Sequence, residues 1–415
     1  MFGQLLMKEC RQTARSLIYW LVVLVLLFDY TSQLGGTEIE SKPEKGQEDY
    51  GFKSSDDENI IMETTLGLLV QEYDEGRYTT YPIGFVKRVT LNEKEEQRME
   101  EIIQETTGIS GRDEAEKVMD AWYESQRAAM EDSQMPVIIG YPAVKPAPGL
   151  SYGRFCELMD EADRILGGGS DYGEGSRGGT EPRTYEDALK EYQDLTEKDR
   201  LTGGYARLFC DYMGIFLGLL PVFLAVTRGL RDRRSGMQEL IYSRKCSSAA
   251  IIFSRYAAML VMLLIPVLLL SLPLLMQCLR YASSSGIAAD PWAFVKYTFG
   301  WLMPTVMAAA AVGMFFTELT DTAFAVLVQG AWWFITVFTG ADTLHGGMYG
   351  WNLIPRHNTA MNYAGYQEGF SQLAANRIMY VLLALALAAL TAVIYDQKRK
   401  GRYRLAWKNI FRLKK

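Results

Sequence analysis

Six stretches of this chain are too long and too apolar for an ordinary water-soluble domain. A helix needs about 20 mostly uncharged residues to cross a hydrocarbon core about 30 Å thick. Runs at 17–34, 206–227, 251–279, 295–316, 322–339 and 378–395 meet that requirement. The run at 322–339 is only just long enough, and the run at 17–34 carries Asp29, placed near its far end and within reach of the headgroups. The run at 251–279 is broken by Pro266 and Pro273, which buried transmembrane helices tolerate because neighbours satisfy the freed backbone groups. The pattern predicts an all-α polytopic membrane protein with six transmembrane helices. A mostly helical α+β extracytoplasmic domain, residues 35–205, is inserted between helices 1 and 2.

Charge sets the expected orientation. Residues 35–205 hold about 38 of the 49 acidic residues against about 19 Lys and Arg, so this segment carries roughly −19 and the remainder roughly +13. Lys8, Arg11 and Arg15 precede the first run, Arg228, Arg231, Arg233, Arg234, Arg244 and Lys245 follow the second, and Lys398, Arg399, Lys400 and Arg402 follow the last. With an even number of spans these clusters share one side, which the positive-inside rule assigns to the cytoplasm. Both termini of a multi-pass cell-membrane protein are then cytoplasmic, with a basic tail at 396–415. Glu318 and Asp321 make one short turn acidic on that side, but acidic residues carry little topological weight. DYTSQLGG, after the first run, lacks an A-x-A-like cleavage site, so the run reads as a retained anchor.

In the acidic segment, RYTTYPIGFVKRVTL reads as one or two strands, and LNEKEEQRMEEIIQETTGI as a helix capped by Asn92. GRDEAEKVMDAWYESQRAAMED and RTYEDALKEYQDLTEKDRL also have helical periodicity. Between them, LGGGSDYGEGSRGGTEPR reads as a flexible surface excursion, too rich in Gly and Ser to pack a core. Its Gly173, Gly175 and Gly178 have G-x-G-x-x-G spacing but lack the preceding buried strand and following helix that dinucleotide binding needs. Cys210 and Cys278 lie at the outer ends of consecutive spans, where a disulfide could form; the simpler reading is two small buried hydrophobes.

Catalytic signatures are missing. The only histidines, His345 and His357, lie in the loop before the last run, and no H-E-x-x-H, Cys/His cluster or G-x-S-x-G is present. No G-x-x-x-x-G-K-[ST] occurs either, so the sequence offers no P-loop for ATP. No enzymatic activity, metal site or nucleic-acid partner is expected.

The loop at 228–250 is more informative. MQELIYSRK, after Gly236, places Met237, Leu240, Ile241 and Arg244 on one helical face and Gln238, Glu239, Tyr242 and Lys245 on others. A short amphipathic helix of this kind can lie along a membrane surface and leave a polar face for a partner.

RDRRSGMQELIYSRKCSSAAIIFSRYAAML resembles the stretch between spans two and three in permease subunits of ABC-2 type exporters, where an acidic residue and Gly precede a short coupling helix. LLMKECRQTARSLIYWLVV resembles that family's opening amphipathic helix, residues 1–16, and WNLIPRHN its outer connection at 340–377, with short re-entrant helices. The resemblance covers nearly the whole chain. It implies that Asp232, Gly236, Glu239, Leu240, Arg244, Lys245 and Arg255 form the ATPase-coupling region, and Lys8, Glu9 and Arg11 the N-terminal interfacial helix. Many members have Pro where Arg244 stands, which bears on how the helix ends. The implied partners are two copies of an ABC ATPase subunit carrying ATP and Mg, a second permease chain, identical or paralogous, and membrane lipids. The implied function is outward movement of an amphipathic or apolar substrate, a lipid, peptide or drug. The competing class is a multi-pass membrane receptor or sensor with an extracellular ligand-binding domain.

Overall fold

The computed structural model describes residues 2–47, 49–82, 86–132, 141–341, 347 and 349–402; His345 and the last 13 residues of the tail lie outside the described residues. The chain divides into two compact units, Met1–Lys42 with Leu189–Lys415, and Pro43–Ala188.

The first unit opens with α1 (Phe2–Ala14) and α2 (Leu17–Asp29), which passes into a π-helical turn at Tyr30–Leu34. The second unit holds β1 (Phe52–Ser55), α3 (Glu58–Glu75), β2 (Tyr78–Thr80), β3 (Lys87–Val89), α4 (Glu93–Thr107), α5 (Arg112–Asp132), α6 (Tyr152–Leu166) and β4 (Gly179–Pro182). After α7 (Tyr185–Gln193), the first unit continues with α8 (Thr202–Leu217), α9 (Pro221–Arg234), α10 (Gln238–Tyr242), α11 (Ser248–Ser285) and α12 (Ala293–Tyr297). A π turn at Thr298–Leu302 leads into α13 (Met303–Thr320), followed by α14 (Phe324–Ala341) and α15 (Tyr363–Arg399).

Four helical segments, Leu17–Leu34, Ser248–Ser285, Ala293–Thr320 and Tyr363–Arg399, are long and apolar enough to cross a bilayer. The bent pair α8 and α9 makes a fifth if read as one broken span, with 41° between its halves, while α14 has a shorter apolar stretch, Phe324–Phe338. This is the architecture of a helical multi-pass membrane protein. The break before α9 has a local cause: Pro221 has no N–H to continue the ladder. α14 supplies substitutes, since Gln329 Nε2 donates to the Gly218 carbonyl at 2.5 Å and Trp333 Nε1 to that of Ile215 at 2.6 Å.

Three readings of the apolar runs change. α11 is one continuous helix with Pro266 and Pro273 inside it rather than a broken span. Its 38 residues make about 57 Å at 1.5 Å per residue, well beyond the hydrocarbon thickness. Residues 349–362 form no short re-entrant helices, and the run at 378–395 lies within a longer helix that begins at Tyr363. Asp29 does not reach outward: it is 2% exposed, on the buried stripe Tyr19, Val22, Leu26, Asp29, whereas Leu17, Leu21, Leu24 and Phe28 face out.

α13 is the axial element, packed on α9, α11, α14 and α15. Ala308, Ala309, Ala310 and Ala311 are fully buried. The adjoining Gly313 has no room for a side chain, because a Cβ would meet the Ala225 Cβ at 2.6 Å and the Val222 Cα at 3.1 Å. Small residues allow such close backbone approach where lipid provides little drive for association.

In the second unit, the stretch 77–91, read as one or two strands, holds two, β2 and β3, paired antiparallel, and Asn92 heads α4 in a full capping box with Glu95. The pairing of β1 with β4 was not legible in the sequence. The Gly-rich segment is not a loose excursion: Tyr172 is fully buried and donates through its hydroxyl to Glu72 Oε2 at 2.7 Å. Arg177 is inserted beneath the segment, donating to the Cys156 and Tyr172 carbonyls at 3.1 and 3.2 Å. One Tyr and one Arg anchor the surrounding glycines. Cys210 and Cys278 are buried free thiols.

Gly313→Leu is expected to separate α9 from α13 at an overpacking cost of about 1–3 kcal/mol. A lowered thermal midpoint of the purified protein would register it; an unchanged midpoint would contradict this packing.

Candidate functional site

The expected site residues gather where the basic clusters of the first unit meet. α9 ends in a Schellman turn: the Gly236 amide donates to the Arg233 carbonyl and the Met237 amide to that of Asp232, both at 3.0 Å. Gly236 takes the left-handed φ of +67°, which a side chain would strain. The chain then makes the single turn of α10 and re-enters α11, whose N-cap Ser247 accepts from the Ala250 amide.

Beneath this turn lies a closed ring of four charges. Arg228 and Asp232, one helical turn apart on α9, pair at 3.0 Å. Arg228 also holds Glu9 of α1 in a two-pronged grip, Nε to Oε2 at 2.5 Å and Nη2 to Oε1 at 2.6 Å. Arg255 of α11 closes the ring, bonded to Asp232 and lying 3.6 Å from Glu9, with its guanidinium over the Tyr395 ring of α15. Two carboxylates and two guanidinium groups alternate, so the ring is neutral. That balance permits Glu9 to be only 7% exposed, since an unpaired charge there would carry a large desolvation cost.

A second cluster sits alongside. Arg233 of α9 and Lys398 of α15 both pair with Asp321, and both approach Glu318 of α13, at 3.6 and 3.4 Å. Next to Lys398, Arg399 reaches over the re-entry turn, donating to the carbonyls of Tyr242 at 2.8 Å and of Arg244 and Cys246 at 2.5 Å. It supplies donors to carbonyls that a short helix leaves unmet. Tyr242 stacks edge-on against Tyr395 at 5.4 Å, and Ser248 Oγ donates to Asp396 at 2.9 Å. The turn is thus bolted to α15.

The structure brings Glu9, Asp232 and Arg255 together and leaves Lys8, Arg11, Glu239, Leu240, Arg244 and Lys245 at the surface. The expected amphipathic face divides differently. Ile241 packs inward with Tyr242, whereas Met237 and Leu240 are 51% and 62% exposed beside Glu239. The helix covers five residues rather than the whole stretch to Lys245, and Arg399, not a proline, fixes its end. Sequence reasoning missed Arg228, Arg233, Glu318, Asp321, Lys398, Arg399 and Tyr395 as parts of one assembly. Only Arg228 and Asp232 carried a local signal, their i,i+4 spacing.

At the other end of the unit, polar side chains hold residues 349–362. Arg377 of α15 donates to the carbonyls of Trp301, Asn352 and Leu353, and Arg356 pairs with Asp211 of α8 at 2.7 Å. His357 is structural: Nε2 donates to the Met361 carbonyl at 3.1 Å, so Nδ1 accepts from the Tyr349 hydroxyl at 2.8 Å. Burial, reinforced by the Arg207 charge, lowers its pKa to about 4. Among the described residues no group of three or more His, Cys, Asp or Glu is placed to hold a metal.

Compared with models of known protein families, with curated proteins and with solved structures, the chain matches none.

Two outcomes test this geometry. Glu9→Ala leaves the ring with one uncompensated positive charge and is expected to cost about 3 kcal/mol, read as a lower thermal midpoint and greater protease access to α1; an unchanged midpoint would argue against the ring. For His357, the folded state keeps the ring neutral while the unfolded chain takes up a proton near pH 6.5, so stability is lost as pH falls from 6.5 to about 4. The loss amounts to about 3 kcal/mol, and the midpoint of the purified protein should fall further between pH 7 and 4 than that of His357→Gln. Equal falls would count against the assignment.

Proposed function

We propose that this chain is the membrane-spanning permease subunit of an ABC exporter. In this reading six spans, with α8–α9 as the second and α14 as the fifth, place both termini and the re-entry turn in the cytoplasm and the acidic unit outside the cell membrane. A separate ATPase subunit, in two copies, binds ATP and Mg and docks on the turn, and a second permease chain completes the pathway. Amphipathic or apolar cargo suits spans with few ionisable groups: a lipid, a peptide or a drug.

The observation that carries the proposal is the re-entry turn itself. The helices that flank it, α9 and α11, are joined by ion pairs to each other and to α1, and Arg399 of α15 clamps the turn itself, while its outer side offers Met237, Glu239 and Leu240. An isolated topology signal needs positive charge but no such attachment. A force applied to the outer side would move several helices together, as a switch between two packed arrangements of the bundle requires.

Glu239→Lys should leave the chain folded, because the residue is exposed, yet reduce the ATP-hydrolysing subunit recovered with the tagged chain by at least about fivefold, as loss of a desolvated interfacial charge pair does. Glu44→Lys, an equal charge reversal in the other unit, should not. The chain purified alone should show no vanadate-sensitive ATP hydrolysis. Equal recovery with Glu239→Lys, or turnover by the isolated chain, would remove the proposal.

A further inference from the structure

The basic end of the first unit balances its buried charges; the opposite end does not. Asp29 on α2 and Asp211 on α8 are both buried, and Arg356 is the one cation among the groups acting on either. Arg356 is committed to Asp211, with Nε 2.7 Å from Oδ1. Asp211 Oδ2 also accepts the Asn358 amide at 2.7 Å. Asp29 Oδ2 has no hydrogen-bond partner; Asp211 Oδ1 also lacks an aligned hydrogen bond, but the Arg356 guanidinium lies 2.7 Å from it. α1, α8, α9 and α11 also pack on α2, and none of them presents a cation to Asp29. An unpaired carboxylate in such a place is costly as an anion, and binding a cation relieves the cost.

Two further features point the same way. The helix changes to a π turn immediately after Asp29, at Tyr30–Leu34, a distortion that recurs at functional sites. A groove of about 240 Å³ lies at this end, lined by Gln33, Glu38, Tyr212 and Asn358 among others. Gln33 is one turn beyond Asp29, Tyr212 adjoins Asp211, and Asn358 is Asp211's amide donor. Water filling such a groove would supply a nearby source and sink for protons.

We propose that Asp29 is a proton-binding site coupled to residues 349–362 through Arg356. With the proton bound, Asp211 is the one carboxylate that Arg356 serves, while its Nη2 donates to Asn358 Oδ1. When the proton leaves to water, two carboxylates compete for one guanidinium, and Arg356 together with Asn358 is drawn from Asp211 toward Asp29. The site makes the bundle responsive to pH whatever the chain transports.

Dicyclohexylcarbodiimide tests this directly, because it adds to protonated carboxyls in apolar surroundings: the carboxyl oxygen bonds to the carbodiimide carbon and the proton passes to its nitrogen. The full chain in lipid nanodiscs, treated between pH 6 and 9 and mapped by mass spectrometry, should be modified at Asp29. Labelling should fall about tenfold per pH unit above the titration point, and replacing choline by sodium should not alter it. Protection by sodium would overturn the proton assignment in favour of a metal cation, and no modification of Asp29 at any pH would overturn the site. Asn imitates the protonated form, so Asp29→Asn should match wild type at pH 6 and exceed it in thermal midpoint at pH 8.5. An equal decrease at both values would make Asp29 a structural anion and end the proposal.

Discussion

The structure of the bundle depends on one constraint: charges taken out of water at helix ends must be balanced there. The ring of Glu9, Arg228, Asp232 and Arg255 meets it with equal numbers of each sign and joins α9 and α11 to the sequence-distant α1. Losing any member leaves an uncompensated charge, which is why such a ring fixes geometry more firmly than its net stabilisation suggests. It also determines what is left over. With the inner side of the re-entry turn occupied, the exposed Met237, Glu239 and Leu240 are the groups available to anything that binds there.

The two ends of the unit solve their polar problems differently. At the basic end, buried charges pair with one another, while Arg399 is spent on carbonyls. At the other, Arg377 donates to the carbonyls of Trp301, Asn352 and Leu353 and to the side chains of Thr305 and Asn376, and His357 bonds to the Met361 carbonyl and the Tyr349 hydroxyl; together they supply residues 349–362 with hydrogen bonds that regular structure would have provided. An arginine surrounded by neutral acceptors is a rigid support. Asp29 departs from both solutions, and that departure makes it chemically informative.

Much of the helical architecture was legible because an apolar run of bilayer length has few alternatives. Local chemistry was also readable: the Asn92 capping box follows from side-chain reach within one turn. What escaped was set by contacts between remote residues. Nothing near Glu318 or Asp321 announces Arg233 and Lys398. The glycines at 167–169 concealed a segment fastened by Tyr172 and Arg177, since composition reports average flexibility and a single buried aromatic can override it. Asp29 was misplaced for the same reason, because position along a span does not say which face is covered. In the re-entry turn, periodicity found the helix but not its orientation, which Arg399 sets from more than 150 residues away.

The account stands on the outer side of that turn being a protein-docking surface rather than a lipid-facing one. A photoreactive amino acid placed at 240, and separately at the inward 241, would distinguish them in native membranes. The account predicts that position 240 crosslinks to an ATP-binding subunit and that position 241 crosslinks only within the chain. Crosslinking of position 240 to lipid alone would contradict it.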